Sequence, residues 1–238
     1  MRCRSQWMGT TFKLMYVKRT PQSSKTMHVV SSSFKATFTW SNMQILQECR
    51  EACGGQALKT ENRVGHLIAE LDVESTFVGD NNILMQQFRS AKLFFAEYVA
   101  AQKRNKVFKG LGLEHMNQPC PVIPSQLNST TLRCSQFQMD ALCLRERELL
   151  NRFVADVSQC QARRECKEHA FIMSYQLTED LSKAFSDRAI FQTLVEAEAT
   201  LAASSLKDVL GMVRSLYALS CLEDVTYLRY GYLSVAVK

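Results

Sequence analysis

Cys49 and Cys53 stand one helical turn apart and in that spacing could clamp a metal ion. No histidine or further cysteine pair completes four ligands, so both read as small buried thiols, and no metal site is expected. His28, His66, His115 and His169 are scattered through unrelated stretches. None stands with a Ser or Cys and a carboxylate in triad order, so hydrolase chemistry has no support. No P-loop or Rossmann fingerprint is present. Two turns remain. Gly54-Gly55 follow a helical run, where paired glycines stop the helix and let another chain or a ligand approach bare backbone. Phe77-Val78-Gly79-Asp80-Asn81 is the second, with Asp80 or Asn81 placed to cap a helix beginning near Asn82. Local physics reads these as two helix-terminal turns brought together, and such termini suit anionic groups.

The elements that must position those turns are helical. Ser5 to Arg19 reads as a helix with Trp7, Met8, Phe12 and Met15 on one side, stopped before Pro21. Ser24 to Cys53 reads as a long second helix, with Met27, Val30, Phe34, Phe38, Ile45, Cys49 and Ala52 tracing its buried face. Serines 31 to 33 weaken it locally and read as a solvated or closely packed face. Asn82 to Gln102 repeats Leu84, Phe88, Ala91, Phe95 and Tyr98 at spacings of four and three, which predicts a helix burying one stripe. Gly110, Gly112, Pro119, Pro121 and Pro124 then interrupt any helix. Leu132 to Cys160 carries Leu142, Leu149, Phe153, Val157 and Cys160 inward. Ala170 to Thr200 does so through Met173, Leu177, Leu181 and Ala184. Ser205 and Asp208 frame a helix start, and Leu206, Leu210, Val213 and Tyr217 make the last stripe. No strand alternation occurs, so the fold class is all-α. The organisation is a helical unit over 1–104, a Pro/Gly connector over 105–131, and a second helical unit over 132–238.

Composition narrows the class. The chain has 238 residues, 46% of them apolar, enough for a sizeable core. The net charge of +6 sits at one end, because residues 1–47 hold seven basic residues and no acid. That is also the composition of a transit peptide, but helix patterning competes with it and is preferred. Without a clustered basic and aromatic face, no nucleic-acid partner is expected. Nine cysteines without a CxxC pair or a secretory signal point to reduced thiols. Asn128-Ser129-Thr130 is then an idle sequon. No apolar run is long enough to span a membrane.

Several stretches together carry a more specific signal. They are Glu48-Cys49-Arg50-Glu51-Ala52-Cys53-Gly54-Gly55-Gln56, Thr76-Phe77-Val78-Gly79-Asp80-Asn81-Asn82 and Lys109-Gly110-Leu111-Gly112-Leu113-Glu114-His115. Arg133-Cys134-Ser135-Gln136-Phe137 and Leu228-Arg229-Tyr230-Gly231-Tyr232-Leu233 join them. Over nearly its whole length the chain resembles the C-terminal α-domains of the acyl-CoA oxidases, most closely the plant peroxisomal branch. The resemblance implies FAD as cofactor, fatty acyl-CoA as substrate and a peroxisomal location in fatty acid β-oxidation. It also implies a homo-oligomer, or pairing with a full-length oxidase. Cofactor-binding positions carried over are Gly54, Gly55, Gln56, Asp80 and Asn81, with Gly79 beside the substrate.

Two departures qualify it. The family's catalytic glutamate precedes glycine, an acidic residue and asparagine; here that position is Val78, so no catalytic residue is expected. The family's Gly-Gly-X-Gly turn reads Gly54-Gly55-Gln56-Ala57, and Ala57 would be strained if its position needs positive φ. The family's N-terminal helical domain and β-domain, which hold most flavin and acyl-CoA contacts, have no counterpart in these residues. No peroxisomal tripeptide follows Val237. The expectation is an acyl-CoA oxidase by resemblance, inactive as this chain and retaining no FAD. The competing reading is a non-catalytic helical module for dimerisation or interaction, or a degenerate gene product.

Overall fold

The computed structural model describes residues 21–86, 98–101, 104, 107, 113–124, 127–163, 166 and 173–223. The expected helix at Ser5 to Arg19 and the motif at Leu228 to Leu233 lie outside them. Among the described residues the regular structure is helical, with no strand. α1 spans Pro21–Ala52, α2 Val64–Asp72 and α3 Asn81–Gln86; residues 98–101 are helical again. After short 3₁₀ and extended pieces come α4 Ser129–Arg133, α5 Ser135–Ala162, α6 Tyr175–Thr200 and α7 Ser205–Leu222.

Pro21 is the first described residue of α1, so proline does not interrupt the helix that follows it. Gly54, at φ +55°, stops the helix in the left-handed region that glycine tolerates. The N-terminal half of α1 is packed: Val29, Ser32, Ser33, Phe34, Ala36 and Thr37 are buried. Ser33 is tolerated there because its hydroxyl donates to the Val29 carbonyl at 2.8 Å. The C-terminal half is less so. Ile45, Cys49 and Ala52, expected on the buried face, are exposed; α2 packs along α1, and Met43 and Leu46 are the half-buried apolar residues of this half.

α5 and α6 form the central antiparallel pair, with α1 and α7 packed against it. One apolar layer joins Val29 of α1, Leu113, Leu149, Leu150, Phe153 and Val157 of α5, and Leu181, Ala184 and Phe185 of α6. A second joins Phe137, Ala141 and Leu142 of α5 to Phe191 of α6 and Ala218, Cys221 and Leu222 of α7. The α5 stripe matches its periodicity, although Cys160 is only partly buried. In α6, Leu181 and Ala184 are buried, whereas Met173 lies before the helix and is 62% exposed.

The α7 expectation fails in part. Leu206 and Val213 are exposed, and the buried face is Arg214, Ala218, Cys221 and Leu222 instead. The helix has two apolar stripes, and tertiary packing chose the less hydrophobic one. Arg214 anchors that choice: its Nε lies 2.6 Å from Glu198 of α6, and its Nη1 donates to Gln138 of α5 at 2.9 Å.

Candidate functional site

The turn at 75–81 is built around α1. Asp80 caps α3: its Oδ1 accepts from the N–H groups of Asn82 at 2.9 Å and Ile83 at 3.2 Å. Asn81 is 1% exposed. Its amide nitrogen donates to Thr39 Oγ1 at 2.7 Å, and its amide oxygen accepts from Lys35 Nζ at 2.7 Å. The same ammonium donates to the carbonyls of Gly79 at 2.7 Å and Ser75 at 3.4 Å. Burial pushes the Lys35 pKa down, against the opposing pull of Asp80 and Glu74.

The residues that this frame holds outward are Phe77 and Val78, 59% and 87% exposed. Val78 has φ +61° and Gly79 φ +109°. A β-branched residue in the left-handed region costs about 1–2 kcal/mol relative to its ordinary conformations. Glycine is needed at 79, because a Cβ there would sit 3.1 Å from Leu84 Cδ2 at a backbone angle few side chains adopt. The strain therefore lies at Val78. Ala57 is not strained: it lies within a 3₁₀ turn, buried, and is absent from the positive-φ residues, so that expectation is corrected.

The glycine turn is separate. Thr39 holds the second turn, and Gly54 stands fifteen positions later, about 22 Å further along the axis at the 1.5 Å rise per residue of an α-helix. The two turns are therefore not brought together, contrary to expectation. Gly54 and Gly55 are open: a Cβ built on either meets nothing within 4 Å. The Gln56 carbonyl accepts from the Asn62 amide at 2.7 Å. Such bare, uncovered backbone fits a group approaching from outside this chain. The side chains of Asp80 and Asn81 and the carbonyl of Gly79 are committed to building their own turn, which leaves Phe77 and Val78 as the outward positions there.

Cys49 and Cys53 are both exposed rather than buried thiols, and no group of three metal-ligating side chains occurs among the described residues. His115 was read as a scattered histidine. It belongs to a charged layer that sequence reasoning missed, held between the two apolar layers. Arg145 Nη1 lies 3.2 Å from Asp187, and Arg188 Nε lies 2.6 Å from Glu146. His115 Nε2 stands 3.0 Å from Glu146 Oε2, at charge-pair distance though outside hydrogen-bond geometry. Burial pushes the Glu146 carboxyl up, but Arg188 and His115 pull harder and hold it below the usual carboxylate range. Burial pushes the thiols of Cys143 and Cys221 up to about 12, which makes both inert. The signal for this layer was present: the α5 stripe skips a turn between Leu142 and Leu149, where Arg145-Glu146 stand. The layer is enclosed and offers no opening for a substrate.

An all-α arrangement of this kind is the C-terminal architecture of acyl-CoA oxidases. Residues 1–93 match the family model described as acyl-CoA oxidase, C-alpha1 domain. Peroxisomal acyl-coenzyme A oxidase 3 of Arabidopsis thaliana is 62% identical over 223 residues, covering 93% of this chain and 33% of that protein. The crystal structure of acyl-CoA oxidase 1 from Yarrowia lipolytica superposes with a TM-score of 0.82 at 21% identity, over 98% of this chain and 35% of that one. Acyl-CoA oxidase-1 of Caenorhabditis elegans, complexed with FAD and ATP, gives 0.83 at 16%, over 98% and 36%. At such identities the structural likenesses show the fold. Over most of its length the chain is similar to the C-terminal region of peroxisomal acyl-CoA oxidases. It spans about a third of the length of the curated relatives it matches.

Proposed function

We propose that this chain is an acyl-CoA oxidase by descent whose catalytic base has been lost. The activity of that lineage is FAD-dependent desaturation of a fatty acyl-CoA to the trans-2-enoyl-CoA in peroxisomal β-oxidation, with O₂ reduced to H₂O₂. Bound FAD would supply the acceptor for the β-hydride and the path of its electrons to oxygen. The chain's part would be a carboxylate at position 78 removing the α-proton, and Val78 has no proton acceptor. General-base catalysis is commonly worth ~10²–10⁴-fold. Gly54, Gly55 and Gln56 would meet FAD through exposed backbone, while Gly79, Asp80 and Asn81 build the turn beside the acyl-CoA. On this reading residues 1–104 carry both turns, 105–131 connect, and 132–238 form the second helical unit. Bare backbone at one turn is too little to hold an isoalloxazine ring, so the isolated chain retains no flavin.

One observation supports the reading: Val78, at the position that the resemblance gives to the family's base, is 87% exposed on a built turn. A chimera joining the two N-terminal domains of a working relative to this chain tests it. Peroxidase-coupled oxidation of a long-chain acyl-CoA should show no peroxide with Val78 and clear peroxide with Val78→Glu. Equal activity in the two chimeras would mean that another residue is the base.

A second reading, a non-catalytic helical module pairing with another copy or with a full-length oxidase, is favoured by α7. Leu206, Val209, Met212, Val213 and Leu216 form one exposed apolar stripe on it.

A further inference from the structure

Strained backbone persists only where its surroundings over-determine it. At Val78 the surroundings are few and identifiable. The turn before α3 holds Phe77 and Val78 outward, so neither anchors it to the core. Among the described residues, the side-chain hydrogen bonds that join residues 75–81 to the rest of the molecule come from two successive turns of α1. Lys35 reaches the carbonyls of Ser75 and Gly79 and the amide oxygen of Asn81; Thr39 takes the amide N–H of the same asparagine. The two strongest Lys35 contacts, both 2.7 Å, fall one residue and three residues beyond Val78.

We propose that Lys35 is a positioning residue: through Gly79 and Asn81, and assisted by Thr39, it clamps the left-handed backbone of residues 78–79 to α1 and so presents residue 78 outward. A lysine suits this task because one ammonium has three donors to distribute. Here they converge on three acceptors spread over seven residues of the turn. Neither helix capping by Asp80 nor the glycine at 79 requires positive φ at 78, so the clamp is what opposes relaxation of the valine. That residue 78 is the position facing acyl-CoA rests on the functional reading above; the clamp does not.

A double-mutant cycle on the full 238-residue chain tests it by thermal melting. Val78→Gly removes the strain, and in the Lys35 background should raise Tm by about 2–4 °C, the shift typical of a modest stabilisation at this size. In the Lys35→Met background the freed turn relaxes by itself, and the gain should vanish. Amide exchange in a peptide covering 75–84 should quicken in Lys35→Met while that of α7 stays unchanged. Thr39→Val, which keeps the shape and removes the acceptor of Asn81 together with the hydroxyl's own bonds to the Lys35 and Ala36 carbonyls, supplies a milder cycle if Lys35→Met does not fold, and should shrink the gain. Equal gains with and without the clamp residue overturn the proposal. Failure of the Val78→Glu chimera to make peroxide would instead overturn the assignment of position 78 and leave the clamp standing.

Discussion

The Glu146 carboxylate sits in the interior with Arg188 as its principal partner and His115 at its edge, and each charge is tolerable only because of the others. Removing one partner leaves an uncompensated buried charge. Glu146→Gln should therefore cost about 3–5 kcal/mol at neutral pH, as measured by urea unfolding. The pH dependence has a definite sign. The folded carboxyl titrates below its unfolded value of 4.5, so its contribution is complete above pH 4.5 and is lost as pH falls through the lower folded value. The gap between wild type and Glu146→Gln should narrow across that interval; a gap constant from pH 7 to pH 3 would count against the pair. At the same scale Val78 and Lys35 form a contrast. One is an exposed residue in an unfavourable conformation, the other the group whose hydrogen bonds hold it there.

Among elements, α7 shows how packing can choose between two faces of one helix. Its inner face is polar at Arg214, which bridges Glu198 and Gln138, and small at Ala218, so the helix lies close against α5 and α6. Its outer face carries Leu206 and Leu216 at 63% and 67% exposure. Replacing both with glutamate removes no described packing and should shift folding stability by no more than about 0.5 kcal/mol. The wild-type chain should self-associate in size-exclusion with light scattering, and the double substitution should dissolve that association. A monomeric wild type would refute the α7 stripe as an association surface. α1 divides differently: its packed first half belongs to the core, and its exposed second half leads to the open glycine turn.

The molecule as a whole is held by a core that crosses the connector. Phe153 of α5 is fully buried in the layer shared with Val29 of α1 and Leu181 and Phe185 of α6. Phe153→Ala should cost about 3–5 kcal/mol. Because that layer draws on both sides of the connector, helicity and the fluorescence of Trp7 and Trp40 should be lost together in one transition. Two separated transitions would mean that residues 1–104 and 132–238 melt as independent units.

Periodicity alone determined the helical class, the reach of α1 and α5, and the inward residues Leu142, Leu149, Phe153 and Val157, because those follow from the repeat of one helix. Turn chemistry at Asp80 was equally local, an acceptor one position ahead of free N–H groups. The sequence motifs also carried the likeness to the C-terminal region of acyl-CoA oxidases. Only tertiary structure decided which stripe of α7 is buried, since the stronger apolar stripe lost to a face with a pairable arginine. The exposure of Ile45, Cys49 and Ala52 was likewise undecided, because amphipathic spacing states which face could be buried and never what arrives to cover it. The Lys35 clamp joins positions forty or more residues apart, and the Arg145, Glu146, Asp187 and Arg188 layer joins helices forty-two apart. A charge in sequence reads as solvated until its partner is brought beside it, and that partner is a property of the fold.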